Sequence, residues 1–109
     1  MTMNDILGKD IDTCLEDFKK LPKGELVNLT QLLKIQYEQV SNLKNSLLVL
    51  IESHEQGENK MTDKEYKEHI VAVDNLYLSM QLIEDRFNIA NELLQDLQNR
   101  EQEVLEALK

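Results

Sequence analysis

The chain has 109 residues with one proline, three glycines, five aromatic side chains, one cysteine and a net charge of −9 at neutral pH. That length supports one modest core and not two, and an acidic balance excludes direct binding to nucleic-acid phosphates, which requires clustered Lys and Arg. The longest apolar run, Leu47 to Ile51, falls far short of the roughly 20 residues of a bilayer-spanning helix, and the single Cys14 excludes an intrachain disulfide or a paired-cysteine metal or redox site.

Abundant Leu, Glu, Gln, Asn and Lys with little Pro or Gly favour long helices over strands. A first helix is expected over residues 3–21. Its start carries a capping pattern: Thr2 as N-cap, Asp5 three residues on, and Met1 and Ile6 in the flanking apolar positions. The opening "MTMNDILGKDIDT" has acidic residues where a secretion signal needs basic ones before an apolar stretch, so a cytoplasmic location is expected. Leu7, Ile11, Cys14, Phe18 and Leu21 form this helix's apolar stripe, which makes Cys14 a buried structural thiol.

Pro22 suits the first turn of a new helix and Gly24 weakens any continuous one, so a joint is expected here. The second helix, over residues 22–55, reads Leu26, Leu29, Leu33, Gln36, Val40, Leu43, Leu47, Leu50 in alternating steps of three and four. This is a coiled-coil seam. Its stripe is one residue out of phase with that of the first helix, a rotation of about 100°. Gln36 interrupts the seam and is a candidate for fixing register or partner choice. Near the end, Leu47, Leu48, Val49, Leu50 and Ile51 make the helix apolar all round, a candidate protein interface.

A polar loop over residues 56–61 leads into the clearest boundary in the chain. Thr62 is the expected N-cap, Glu65 its capping-box partner, and Met61 and Tyr66 the hydrophobic staple. The third helix, over residues 62–108, carries thirteen seam positions: Tyr66, His69, Val73, Leu76, Met80, Ile83, Phe87, Ala90, Leu94, Leu97, Glu101, Val104 and Leu108. One unbroken helix on the order of 70 Å long follows. A second stripe, Val71, Leu78, Leu82, Ile89 and Leu93, gives it two apolar faces, as in a helix packed on both sides.

The short loop makes helices two and three antiparallel neighbours. Residues beyond about 95 then overhang helix two by roughly 21 Å. Val104, Leu105 and Leu108 in this overhang are further interface candidates, and Glu101 is a second polar seam position able to set specificity. The first helix either continues past Pro22 to cover the overhang or folds back into a three-helix bundle, which leaves the overhang and the 47–51 run for a partner. A single all-α domain over residues 1–109 is expected, an elongated antiparallel hairpin with an additional N-terminal helix, enlarged into a bundle by self-association.

No pattern identifies a reaction. His54 and His69 flank the loop without a spacing that sets two metal ligands on one helical face, and the carboxylates fall on solvated faces. Neither a nucleophile elbow nor a Gly-rich phosphate loop occurs. The expectation is a chain that is not an enzyme, with no metal, cofactor, small-molecule substrate, nucleic acid or membrane as ligand. It reads as a protein–protein interaction module, an adaptor, assembly subunit, small chaperone or inhibitor, acting through apolar stripes as a homo-oligomer, with a dimer favoured. The competing expectation is an acidic regulator that occupies the basic surface of a nucleic-acid-binding protein. Residues 62–109 carry −6 of the total charge, but spread over about 70 Å this is far sparser than the one charge per roughly 1.7 Å of duplex DNA.

Overall fold

Asp10 splits the expected N-terminal helix in two. In the computed structural model, which describes residues 3–109, the helices are α1 (Met3–Gly8), α2 (Ile11–Lys19), α3 (Lys23–Glu55) and α4 (Asp63–Ala107). Met1 and Thr2 of the expected N-terminal cap lie outside the described residues. Gly8 is a weak helix former at the end of α1. Asp10 then takes an extended backbone and accepts the Thr13 N–H at 2.7 Å, which caps a new helix. The expectation of one helix over residues 3–21 is therefore corrected: a good N-cap outcompetes continuation through glycine. An ion pair from Lys9 to Asp17, 2.7 Å long, holds the corner closed.

Hydrogen bonds from the Thr13 side chain, and then from its backbone N–H, hold the Asp10 carboxyl below the usual aspartate range. A depressed folded-state pKa stabilises above the unfolded value and is lost as pH falls through the folded one. Asp10→Ala is accordingly expected to lower the thermal midpoint at pH 7. The gap from the parent should close as pH drops below 3.8, the unperturbed value, in a series of circular-dichroism melts.

The break re-aims the first segment. Ile6, Cys14 and Phe18 are buried, Leu7 and Leu21 pack beside them, and Ile11 from the expected stripe is 39% exposed. Cys14 is the buried thiol that its place on the stripe requires, donating to the Ile6 carbonyl at 3.3 Å. Arg86 of α4 reaches Ile6 and Lys9, whereas Phe18 and Leu21 lie with Leu93 and Leu97. The α1–α2 segment thus runs alongside α4 in the same direction. Of the two arrangements open from sequence, the fold-back is the one present.

α3 and α4 form the antiparallel hairpin, tied by Lys23 to Glu101 at one end (2.5 Å) and by Tyr66 to Glu55 at the other (2.6 Å). The protein measures 68 × 27 × 16 Å. At the turn, Gly57 adopts a φ of 80°, the Glu58 N–H reaches Ser53 and the Gly57 N–H reaches His54, the glycine-terminated helix end that satisfies the last carbonyls. Thr62 caps α4 as expected, its hydroxyl accepting the Glu65 N–H and donating to the Glu65 carboxylate, both at 3.1 Å. His54 accepts the Met61 N–H at 3.0 Å and lies against the Tyr66 ring, so it is a loop-closing residue.

Along α4 the seam follows the expected positions from Tyr66 to Leu97, with Val73, Met80, Ile83 and Ala90 buried. Along α3 it does so through Leu33 and again at Val40 and Leu47. At the alternate places beyond Leu33 the contact moves one residue on, to Tyr37, Lys44 and Ile51. Leu43 and Leu50, expected in the seam, are 53% and 40% exposed. Tyr37 offers more apolar area than Gln36, and the Lys44 ammonium lies 4.9 Å over the Tyr77 ring while its stem covers the seam. The apolar arc of α3 is wider than one neighbouring helix can cover.

Three layers meet only at the base, where Ile6, Cys14, Phe18, Leu26, Leu29, Leu33, Ile83 and Ala90 form one cluster. Burying each large apolar side chain there contributes roughly 1.5–3 kcal/mol. The small Ala90, fully buried, lets the layers approach closely.

Candidate functional site: the uncovered half of the hairpin

The α1–α2 layer packs on one side of the hairpin at its base, with Ile6 and Lys9 held at Arg86. On α3 this side begins with Leu29, enclosed with Ile6 and Leu21, and continues at heptad steps through Gln36, Leu43 and Leu50. On α4 it begins with Leu93 and Arg86 and continues through Ser79 and Ala72, flanked by Leu82 and Asn75. The same side is therefore core at the base and open beyond it. Fraction exposed follows that division: Leu29 is buried, whereas Leu43, Leu50 and Leu82 are exposed.

This open side carries no charge along α3, and none on α4 between residues 72 and 82; nearer the loop, Glu65 and Glu68 follow at the same heptad steps. The α3 edge reads Leu32, Gln36, Gln39, Leu43, Ser46, Leu50, Ser53, and the α4 edge from 72 to 82 reads Ala72, Asn75, Ser79, Leu82. In a chain with 30% charged residues, the absence of charge on these stretches is a local departure, and depletion of charge is the compositional mark of an interface core. The opposite side differs, with Lys34 and Glu84 beside Tyr37 and Phe87, and Lys44 against Tyr77.

The interface candidates divide into four groups. Leu48, Val49 and Leu50 are exposed, but Leu47 is half-buried and Ile51 is buried against α4, so the apolar run is not free all round. Val71, Leu78 and Leu82 are exposed; the first two stand two residues before seam positions Val73 and Met80 and so face away from α3. Ile89 and Leu93 pack against the base cluster, which removes the lower half of the second stripe from any outside partner. Val104, Leu105 and Leu108 are exposed beyond the last packed position, Leu97. Of the two polar seam positions, Gln36 is half-buried at the edge of the open side, and Glu101 is exposed and paired with Lys23.

Arg86 escaped the sequence reading. It is buried, with Nη2 donating to the Lys9 carbonyl at 2.7 Å, Nη1 to Leu82 at 3.1 Å and Nε to Ile6 at 3.4 Å. Its guanidinium thereby satisfies carbonyls in α1 and in the α1–α2 corner, and ties the third layer to α4. The signal was present: Leu82, Arg86, Ile89 and Leu93 step by four, three and four, which sets one arginine inside an apolar stripe.

Among the described residues, no group of three or more His, Cys, Asp or Glu is placed to hold a metal, and no helix is long and apolar enough to cross a membrane. No protein-family model, curated protein or solved structure matches the chain.

Proposed function

We propose that the protein is a non-catalytic protein–protein interaction module that works through the open half of its helical hairpin. The observation that supports this reading is the exposure of Leu43, Leu50 and Leu82 among uncharged neighbours, on the side of the hairpin that is core at its base under α1–α2. Fully burying a leucine is worth roughly 1.5–3 kcal/mol, so a partner covering these positions gains several such contributions. The base of the molecule, locked by Arg86 and the α1–α2 cluster, acts as the rigid mount that presents them.

Site-specific photo-crosslinking tests this reading. A photoreactive residue at Leu43 or Leu82, in the full chain expressed in its native cells, is expected to give a discrete adduct with one protein, identified by mass spectrometry. The same residue at Lys34, on the charged side, should give little. Equal yields at Lys34, or no adduct at either leucine, would overturn the proposal.

A further inference from the structure

We infer that His54 is a proton-operated latch in the hairpin turn: the neutral ring ties the end of α3 to the entry of α4, and the protonated ring exchanges that tie for one to the middle of the loop. The inference stands apart from the interaction-module reading and rests on the geometry around one atom.

That atom is Nδ1 of His54. It lies 3.0 Å from the Met61 backbone nitrogen, whose N–H points at it, and 3.2 Å from the Asn59 carbonyl oxygen. The first contact needs a lone pair on Nδ1 and the second needs a proton there, so the ring serves one of them at a time. With Nδ1 bare, the Met61 N–H is satisfied and two lone pairs face each other at Asn59. Protonation reverses this: Nδ1–H donates to Asn59, and the Met61 N–H loses its acceptor. Each charge state of the ring thus selects a different residue of the loop.

The surroundings hold the ring in place while the partner changes. His54 lies in the last turn of α3, where its carbonyl accepts the Gly57 N–H, and its ring sits 4.9 Å from that of Tyr66. The Tyr66 hydroxyl is fixed in turn to Glu55 at 2.6 Å. Asn59 is already drawn to α3 by its own N–H, which donates to the Ser53 carbonyl at 3.3 Å. The charged groups of this end are Glu52 and Glu55 of α3, Glu58 and Lys60 of the loop, and Asp63 and Lys64 of α4. Carboxylates ordinarily titrate below pH 5 and lysines above pH 8, whereas histidine changes charge within roughly that window. The Tyr66 phenol is held above the usual tyrosine range by its hydrogen bond to Glu55, so it keeps its proton throughout.

His69, the other histidine, provides an internal contrast. Its Nδ1 meets only the Glu65 carbonyl, at 2.7 Å. It therefore donates in both charge states and has no partner to exchange. The two neutral rings are accordingly expected as opposite tautomers, Nε2–H at His54 and Nδ1–H at His69.

Nuclear magnetic resonance on the full chain, from about pH 8 to about pH 5, tests this directly. Ring nitrogen shifts at the upper end should give the two opposite tautomers. On acidification, exchange of the Met61 amide with solvent, divided by the rate of an unprotected amide at the same pH, should rise roughly two- to tenfold. The rise should share its midpoint with the His54 ring protons. His54→Asn places a side-chain amide oxygen, which does not titrate, near the position of Nδ1. In that variant the Met61 amide should stay protected at both ends of the range, whereas His69→Gln should leave the parent response intact. A neutral His54 that already carries its proton on Nδ1 would overturn the inference. So would a Met61 amide indifferent to the His54 titration, or one whose response survives in His54→Asn.

Discussion

Ile83→Ala is expected to destabilise the fold by about 2–5 kcal/mol, the usual range for deleting a fully enclosed aliphatic side chain and leaving a cavity. Ile83 is 1% exposed where α4 meets the base cluster, and closely packed layers on several sides leave little room to collapse inward. Small domains are stable by roughly 5–15 kcal/mol in total. A loss of this size would therefore lower the urea midpoint steeply. Val104 occupies the same heptad position three repeats later, yet it is 59% exposed past the last packed residue. Val104→Ala should stay within about 0.5 kcal/mol of the parent. Equal effects in urea titrations of the two variants would contradict the packing described for α4.

Arg86→Leu is expected to release the α1–α2 layer while the α3–α4 hairpin stays helical. The substitution removes the donors to the Ile6, Lys9 and Leu82 carbonyls. Hydrogen bonds to a charged group contribute about 1.5–3 kcal/mol each in favourable geometry, and a buried carbonyl left without a donor costs a comparable amount. The 2.7 Å bond to Lys9 is the strongest of the three, and the combined loss should be roughly 2–3 kcal/mol. Trypsin should then cut at Lys9, Lys19 and Lys20 much faster than in the parent. Melting of the 6 residues of α1 and 9 of α2 would remove about a sixth of the helical circular-dichroism signal. Arg86→Lys should recover only part of the protection, because an ammonium cannot span carbonyls as a planar guanidinium does. Unchanged cleavage in Arg86→Leu would show that apolar packing alone holds the layer.

Much of the hairpin was legible in the residues. Thr62 and Glu65 mark the start of α4 because capping is local chemistry, decided within one turn. Pro22 and Gly24 mark the joint before α3 for the same reason. The break at Asp10 was legible in kind but missed, since the apolar stripe from Leu7 to Leu21 runs straight across it and stripe periodicity does not report a cap. The candidate interface was half legible. Val71, Leu78 and Leu82 are exposed as their stripe suggested, but Ile89 and Leu93, at the same spacing, are covered by a segment eighty or so residues away in sequence. A helical stripe identifies a surface that wants covering and is silent on what covers it.

The sequence by itself determined the two long helices, the position of the loop and the antiparallel pairing, because caps, breakers and a three-four apolar spacing act over a few residues and a short loop leaves one way to return. It also determined that the chain holds more apolar surface than one seam can bury. Only the tertiary structure decided which part of that surface is left open. The fold-back of α1–α2, locked through Arg86, covers the base, and the shift of the α3 seam to Tyr37, Lys44 and Ile51 at alternate positions leaves Leu43 and Leu50 outward. Both outcomes depend on competition between distant segments for the same face, and that competition is settled by packing area and buried hydrogen bonds rather than by local propensity.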